Sequence, residues 1–522
     1  MRSLFSTNWR RPETVFPVLF FVALLLVGVS LFKDFGVSWD EHSENIVGLL
    51  SFNYVFHGDW SLLRYVNRDY GVSFGLLLVV IEKALRLTDP REIFLMRHFC
   101  TFLLFYAAVA AFYFLGKQQF DSWRAALFGC LCLVLTPRIF GNSFFDSKDI
   151  SLLSAFIIGV FTLTRFLAKT SGARALAHAV VCAFAIDMRV VGVLIPGLTL
   201  FFLAWKSRRL KAFDVNLSEF VATVALFAML TVLFTVLFWP FLWEHPLTNF
   251  LFALKNMSHF RWPNTVLYLG RRVAATDLPW HYEPVWMAIS TPILYSVGFV
   301  VGLFAVARSF LTRPREILAD AKNRNNVLFL TWFFTPVLAV VLLKSVVYDS
   351  WRHLFFIYPA FLLVAVQGLQ WLIAVARRRA ACLHFALIAA VALVTLHTAV
   401  VMARLHPFEY LYFNMLAGRD MATAQRRFDF DYWGLSYRKG LEWVLKNDPR
   451  DKVKIYVTEA PGLTNAFLTP PPQRKRLQYV YSVDQADYVL STRRWPGPGD
   501  NCPDKRYAVM VGNAEALVVC RR

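Results

Sequence analysis

Four short stretches of this sequence gather groups able to handle protons and phosphates. The first is Trp39-Asp40-Glu41-His42, two adjacent acids and an imidazole shortly after a long apolar run. Ionisable groups at such a boundary are costly to desolvate, so they mark a site or a face that reaches back to water. A carboxylate with a helix behind it and water in front can serve as general base for an acceptor hydroxyl or amine. Asp40 and Glu41 are therefore the catalytic candidates; a pair of ordinary juxtamembrane acids is the competing account. The second stretch is Asn142-Ser143-Phe144-Phe145-Asp146-Ser147-Lys148-Asp149. Two carboxylates three residues apart can share one helical face. Asp146 and Asp149 can then hold an acceptor or, with Asp40, a divalent cation such as Mg or Mn through oxygen ligands. Asp149 also reads as a helix start, where capping is the plainer role. Lys148 between them can meet a phosphate or pair with its neighbours.

The third stretch runs from Lys344 to Tyr348-Asp349-Ser350-Trp351-Arg352-His353. Its arginine can grip phosphate oxygens bidentately and its histidine can add a donor; an Arg352–Asp349 pair is the alternative. The fourth, Leu278-Pro279-Trp280-His281-Tyr282-Glu283, offers His281 and Tyr282 to a sugar or lipid groove, or else to an aromatic belt at headgroup level. Arg64, with Arg68, Arg271 and Arg272, adds cations available to a lipid phosphate or simply to solvent. There is no Walker-type loop, no dinucleotide fingerprint and no metal-spaced His/Cys cluster. ATP-driven chemistry and a soluble nucleotide-sugar site are both unsupported.

The elements that must position these groups are membrane spans. The chain has 522 residues, 57% of them hydrophobic, gathered in runs of bilayer length. An apolar run from Val15 to Phe32 follows a basic start, Arg2 to Arg10-Arg11, and no small-residue cleavage site follows it. It reads as an uncleaved first span. Others are expected near 94–116, 124–137, 150–168, 174–188, 190–205, 219–239, 284–307, 326–344, 353–375 and 383–402, about eleven in all. The net charge of +20 could point to nucleic acid, but much of the excess sits in short loops between spans. Lys117…Arg124, Lys169…Arg174, Lys206 to Lys211, Arg308…Arg324 and Arg377-Arg378-Arg379 mark the cytoplasmic side, which also holds the amino terminus. The opposite loops, 33–93, 138–150, 240–284 and 345–352, carry Asp40, Glu41, Asp146, Asp149, Glu244, Asp277, Glu283 and Asp349. Asp187 and Arg189 are the exceptions, at a tight hairpin between two expected spans. No internal repeat is visible.

Within the first external segment, Glu44–Phe56 and Phe74–Leu87 read as helices lying in the interface. From Ala403 the composition changes. Val453–Val457, Tyr488–Leu490 and Tyr507–Val511 are short β-branched or alternating runs, separated by Pro470-Pro471-Pro472 and Pro496-Gly497-Pro498-Gly499. The expected division is a polytopic membrane part, 1–402, and a small external α/β domain, 403–522. Cys100, Cys130, Cys132, Cys182 and Cys382 fall in or beside apolar helices. Cys502 and Cys520 can pair if the tail lies in an oxidising compartment.

With these residues in view, the chain resembles the GT-C membrane glycosyltransferases, the superfamily of protein O-mannosyltransferases and aminoarabinose transferases. The carriers are Asp40-Glu41, Asp146 with Asp149, Trp351-Arg352-His353-Leu354 with Tyr358-Pro359, and two tail patterns. Those are His406-Pro407-Phe408-Glu409-Tyr410-Leu411-Tyr412-Phe413-Asn414 with Leu416-Ala417-Gly418, and Phe430-Asp431-Tyr432-Trp433-Gly434. The sequence departs in having Asp-Tyr-Trp-Gly where relatives often have Asp-Trp-Gly. The resemblance implies an all-α polytopic fold with a small external α/β domain, in the inner membrane, its tail periplasmic. It implies inverting transfer of a sugar from a polyprenyl-phosphate donor to an acceptor lipid, glycan or protein on the external face. Asp40 would be the base with Glu41 beside it, Asp146 and Asp149 would hold acceptor or metal, and Arg352, His353, Lys148 and Arg64 would take the phosphate. The partners are then the lipid-linked sugar, the acceptor and the bilayer, with no nucleic acid. A flippase for lipid-linked sugars and a non-catalytic envelope scaffold are the alternatives.

Overall fold

The computed structural model describes residues 11–208, 216–258, 260, 262–314, 317–495 and 501–522. The basic residues before Arg11, the Arg209 and Lys211 part of one inner loop and the Pro496–Gly499 turn lie outside the described residues.

Every one of the eleven expected spans is helical. Among the described residues, nine helices are long and apolar enough to cross a bilayer, so this is a multi-pass membrane protein. The remaining two are Gly172–Met188, only 17 residues long, and Trp123–Val134, which bends by 68° into Pro137–Phe145. The bend has a local cause. Proline at the first helical position pushes the residue before it out of the α region, and Thr136 sits at φ −95°, ψ 103°. All nine residues of the second arm are buried.

The expected 284–307 span is broken for the same reason. Helix Tyr282–Ser290 stops, Thr291 is extended at φ −102°, ψ 139°, and a new helix runs Ile293–Thr312 after Pro292. The carbonyls freed at the break need donors. Asn414 supplies them: its Nδ2 donates to the Ala288 and Thr291 carbonyls at 2.6 and 2.7 Å, and its backbone N–H to Ile289 at 2.8 Å.

The segment between the first two spans holds helices Trp39–His57 and Ser73–Ala84, packed on one another, with the single turn Ser61–Arg64 between them. The loop before Tyr282 holds an antiparallel hairpin, β1 Thr265–Tyr268 and β2 Arg271–Ala274. Its turn, Leu269-Gly270, takes φ of 52° and 82°, the left-handed pair that a tight hairpin requires.

After helix Ala381–Leu405 the chain crosses the end of the bundle that carries Val37 and Trp39 and folds into a five-stranded mixed sheet. The strands are β3 Val453–Val457, β4 Leu477–Tyr479, β5 Tyr488–Ser491, β6 Asp504–Val511 and β7 Ala514–Arg521, in the order β4-β3-β5-β7-β6. β3 pairs in parallel with β4 and β5; β7 is antiparallel to β5 and β6. Helix Ser436–Asn447 covers one face, with Gly440 tight against Leu490, Leu517 and Val519 and Trp443 stacked on Tyr507. Cys502 and Cys520 form a disulfide.

Candidate active site

The Trp39–His57 helix begins with a capping box. Glu41 reaches back to accept the Ser38 backbone N–H at 2.9 Å, and its other oxygen lies 3.1 Å from His98 Nε2. This holds Glu41 inward, 1% exposed. One residue earlier on the turn, Asp40 points the other way and accepts from Arg352 Nη1 at 3.1 Å. Burial pushes the Asp40 carboxyl up, but Arg352, Lys148 and Arg189 outweigh it and hold it below the ordinary range. Glu44 is one turn further on the same face. It accepts the Ser147 hydroxyl, and burial carries its pKa to about 7.

The second acidic stretch is divided between two helices. Asp146 closes Pro137–Phe145 and Asp149 opens Asp149–Ala168, so the two carboxylates do not share a helical face as expected. The capping role also falls on the other acid. Asp146 Oδ1 accepts the backbone N–H of Asp149 at 2.8 Å and of Lys148 at 3.3 Å. Burial, with Asp149 nearby, drives its carboxyl well above the ordinary range. Asp149 instead faces Arg352 Nη1 at 3.0 Å and Arg189.

Arg352 is the junction. Its Nη1 is shared by Asp40 and Asp149, and its Nη2 lies 3.7 Å from Asp349. The guanidinium stacks 4.7 Å from the Trp433 ring and 5.0 Å from that of Tyr348. The Arg352–Asp349 pair, the alternative reading of this arginine, is present beside two shorter carboxylate contacts. Asp349 also accepts from Arg494, a residue of the tail.

These groups surround a cleft of about 600 Å³. Four cations line it, Lys148, Arg189, Arg352 and Arg494, against three acids, Asp40, Glu44 and Asp349. With Glu44 poised near neutrality, positive charge prevails, which suits an anionic ligand. Lys148 lies 4.0 Å from the Tyr70 ring, and burial followed by Arg189 holds its pKa below the ordinary range. His353 lines the cleft edge-on to Tyr348. Trp262 stacks on Tyr348 at 4.2 Å and contributes an aromatic wall.

The tail patterns form the back of this site. Asp431 accepts the Tyr410 and Ser436 hydroxyls and the backbone N–H groups of Gly434, Leu435 and Ser436. That turn needs Gly434, which has φ +70° and no room for a Cβ beside Pro461. It presents Trp433 to Arg352, while the indole N–H donates to Asn142 at 2.9 Å. Arg138, fully buried, stacks on Trp286 and Phe413 and donates to the Tyr412 carbonyl.

The remaining candidates are not brought to the cleft. Arg64 is exposed on the short helix Ser61–Arg64. His281 bonds the Tyr268 hydroxyl at 2.6 Å, and Tyr282 lines a second cavity of about 300 Å³ that shares Val340, Ser345 and Val347 with the cleft. The three acids considered for a cation do not converge. Arg352 stands between Asp40 and Asp149, and Asp146 faces backbone donors; among the described residues no group of three His, Cys, Asp or Glu side chains could hold a metal. Glu44, Arg189, Tyr348 and Arg494 are the cleft residues that sequence reasoning passed over as site residues. The spacing of Glu44 from Asp40 was the available signal; Arg494 had none.

No protein-family model matches the sequence, and no curated protein matches it. Solved structures do. The apo aminoarabinose transferase ArnT of Cupriavidus metallidurans aligns with TM-score 0.52 at 14% identity, over 98% of both chains. The same protein bound to undecaprenyl phosphate gives 0.50 at 14%, over 97% of this chain and 98% of that one. An Archaeoglobus fulgidus oligosaccharyltransferase tethered to an acceptor peptide gives 0.52 at 11%, over 93% and 70%. At these identities the likeness shows the fold, and the fold is GT-C.

Proposed function

We propose that the cleft transfers a sugar from a polyprenyl-phosphate donor to an acceptor on the external, periplasmic face of the inner membrane, with inversion. The observation that carries this reading is the Arg352 junction. One guanidinium ties an ionised acid, Asp40, to a cationic cleft at the end of the spans. The C. metallidurans relative binds undecaprenyl phosphate within the same fold, which favours a polyprenyl donor here.

In this reading the acceptor oxygen or nitrogen attacks the anomeric carbon from the face opposite the phosphate. The bond to the phosphate oxygen breaks and its electron pair leaves with the phosphate, while the acceptor proton passes to Asp40. A phosphate is a good leaving group, so the proton can depart late and a weak base suffices. Lys148, Arg189 and Arg352 stabilise the charge that develops on the leaving phosphate, as preorganised cations in a water-poor site do best. Asp149 and Asp349 hold Arg352 in place, and Trp433 keeps it flat. The polyprenyl chain gains about 0.8 kcal/mol per methylene removed from water. A retaining route would need a second carboxylate as nucleophile; Glu44 is tied to Ser147.

A flippase would call for ionisable residues buried within the spans and related by repeats, and Asp187 and Arg189 are the two that depart from the end-of-span pattern. Asp187 accepts the Val72 N–H at 2.9 Å and so caps the neighbouring helix, and Arg189 belongs to the cleft. The test uses purified protein in nanodiscs with a radiolabelled pool of polyprenyl-phosphate sugars, comparing wild type with Asp40→Asn, each with and without a chelator. Label reaching an acceptor with wild type alone supports the transfer. Equal label with Asp40→Asn removes Asp40 from its role.

A further inference from the structure

Another cavity stands apart from the cleft. About 880 Å³ lies between helices Trp123–Val134, Tyr358–Arg379 and Ala381–Leu405. Its walls are aliphatic and aromatic along most of their length, with Phe128, Leu131, Leu369, Ile373, Ile388 and Val391 among them. From His384 to Ala399 the groove follows 15 residues of helix, about 22 Å of rise, which is more than half of a ~30 Å hydrocarbon core. Its charged groups and its histidine stand at one end; of the other polar lining residues, Gln370 lies partway along and Thr395, whose hydroxyl donates to the Val391 carbonyl at 2.7 Å, lies near the far end. Arg124 is in the first turn of its helix, Arg377 in the last turn of the next, and His384 in the first turn of the third. These three turns meet at the end of the bundle where the loops are basic, opposite the cleft.

Two features separate this end from ordinary inner-loop charge. Arg377, Arg378 and Arg379 are consecutive, yet only Arg377 lines the groove. His384 Nδ1 is buried without a hydrogen-bond partner, an arrangement that a donor or acceptor from a ligand would relieve. No described residue forms an ion pair with Arg124 or Arg377. An apolar channel capped by two such cations and an idle imidazole nitrogen complements one kind of molecule, a lipid with an anionic head.

We propose that this groove is a binding site for an anionic phospholipid of the leaflet on the basic side. Its acyl chain lies along the Ala381–Leu405 helix, and its phosphate sits between Arg124, Arg377 and His384. The site is independent of the transfer chemistry and lies in the other leaflet.

The test is native mass spectrometry of protein reconstituted in an equimolar phosphatidylglycerol and phosphatidylcholine mixture, then released into detergent. Wild type should retain phosphatidylglycerol preferentially. The double variant Arg124→Ala/Arg377→Ala should lose that preference at least fivefold while the neighbouring Arg378→Ala keeps it. Ala392→Phe, which fills the groove and leaves both arginines, should expel the lipid as well. The proposal is overturned if wild type retains both lipids equally, if the double variant still prefers phosphatidylglycerol, or if Ala392→Phe retains as much lipid as wild type. Monodispersity by size exclusion separates these results from misfolding.

Discussion

The two ends of this helical bundle treat the same residue in opposite ways. At the cleft end, outer in the proposed orientation, Arg138, Arg189, Arg352 and Arg494 are each fixed by carbonyls, carboxylates or aromatic faces. At the opposite end, inner in that orientation, Arg377, Arg378 and Arg379 are exposed and form no ion pair with a described residue. The helices differ in step. Two of those at the cleft end are cut, at Thr136-Pro137 and Thr291-Pro292, whereas Tyr358–Arg379 and Ala381–Leu405 reach the opposite end unbroken. Inner arginines need only a sign, since a field orients a protein in a membrane without fixing any atom. Outer arginines need a position, and position at that precision takes partners drawn from distant parts of the chain.

Substitutions can break that contrast. The largest loss is expected from Asp40→Asn, which keeps the shape of the site and removes the proton acceptor. Turnover should fall by roughly 10² to 10⁴ with an unchanged melting temperature, measured by label transfer beside a thermal scan. Arg352→Lys retains the charge but cannot bridge two carboxylates while lying flat on an indole. A drop of roughly 10² in transfer is expected; activity like wild type would mean that charge alone suffices at the outer end too. Asn414→Ala strips the donors from the broken helix and should cost about 1–3 kcal/mol of stability, read as a lower unfolding midpoint with activity per folded molecule retained.

A smaller effect is expected from Glu44. Binding an anion beside this acid favours its protonated form, so donor affinity should weaken as pH rises through about 7, where Glu44 ionises. Donor KM measured between pH 6 and 8 should climb in wild type and stay flat in Glu44→Gln. At the bottom of the scale, Arg378→Ala should shift stability by no more than about 0.5 kcal/mol and leave transfer unchanged. A large effect there would show that the inner end is built as closely as the outer one.

The same contrast explains what could be read from the chain. Spans were legible because an apolar run of bilayer length has few other fates, and the strands Val453–Val457 and Tyr488–Ser491 because β-branched runs between turn residues are equally constrained. Asp40 and Arg352 stood out by their place at the ends of spans. Glu41 did not separate from Asp40, since adjacent residues differ by about 100° around a helix and only the packing of His98 says which side is inside. The Asp146–Asp149 pair misled for a related reason. Spacing of three implies one face only if the helix is continuous, and here a chain reversal falls between them. Arg494 was out of reach because its partners Asp349 and Tyr432 lie 145 and 62 residues away and no periodicity links them; Trp433 stood in a tail pattern, but its contact with Arg352 had no local signal.

One contact at the base of the cleft sets a schedule for making the protein. Asn465 bridges both backbone groups of Val37, 428 residues earlier, and also holds the Gly434 carbonyl behind Trp433. The turn that aims Asp40 is therefore finished by a segment synthesised near the end. At about 5–20 residues per second, a ribosome that has just delivered Asp40 needs on the order of tens of seconds more before Asn465 exists. Until that segment reaches Val37, the acid is in place without its brace. The turn that carries Asp40 is thus completed only when the Asn465 segment has folded against Val37.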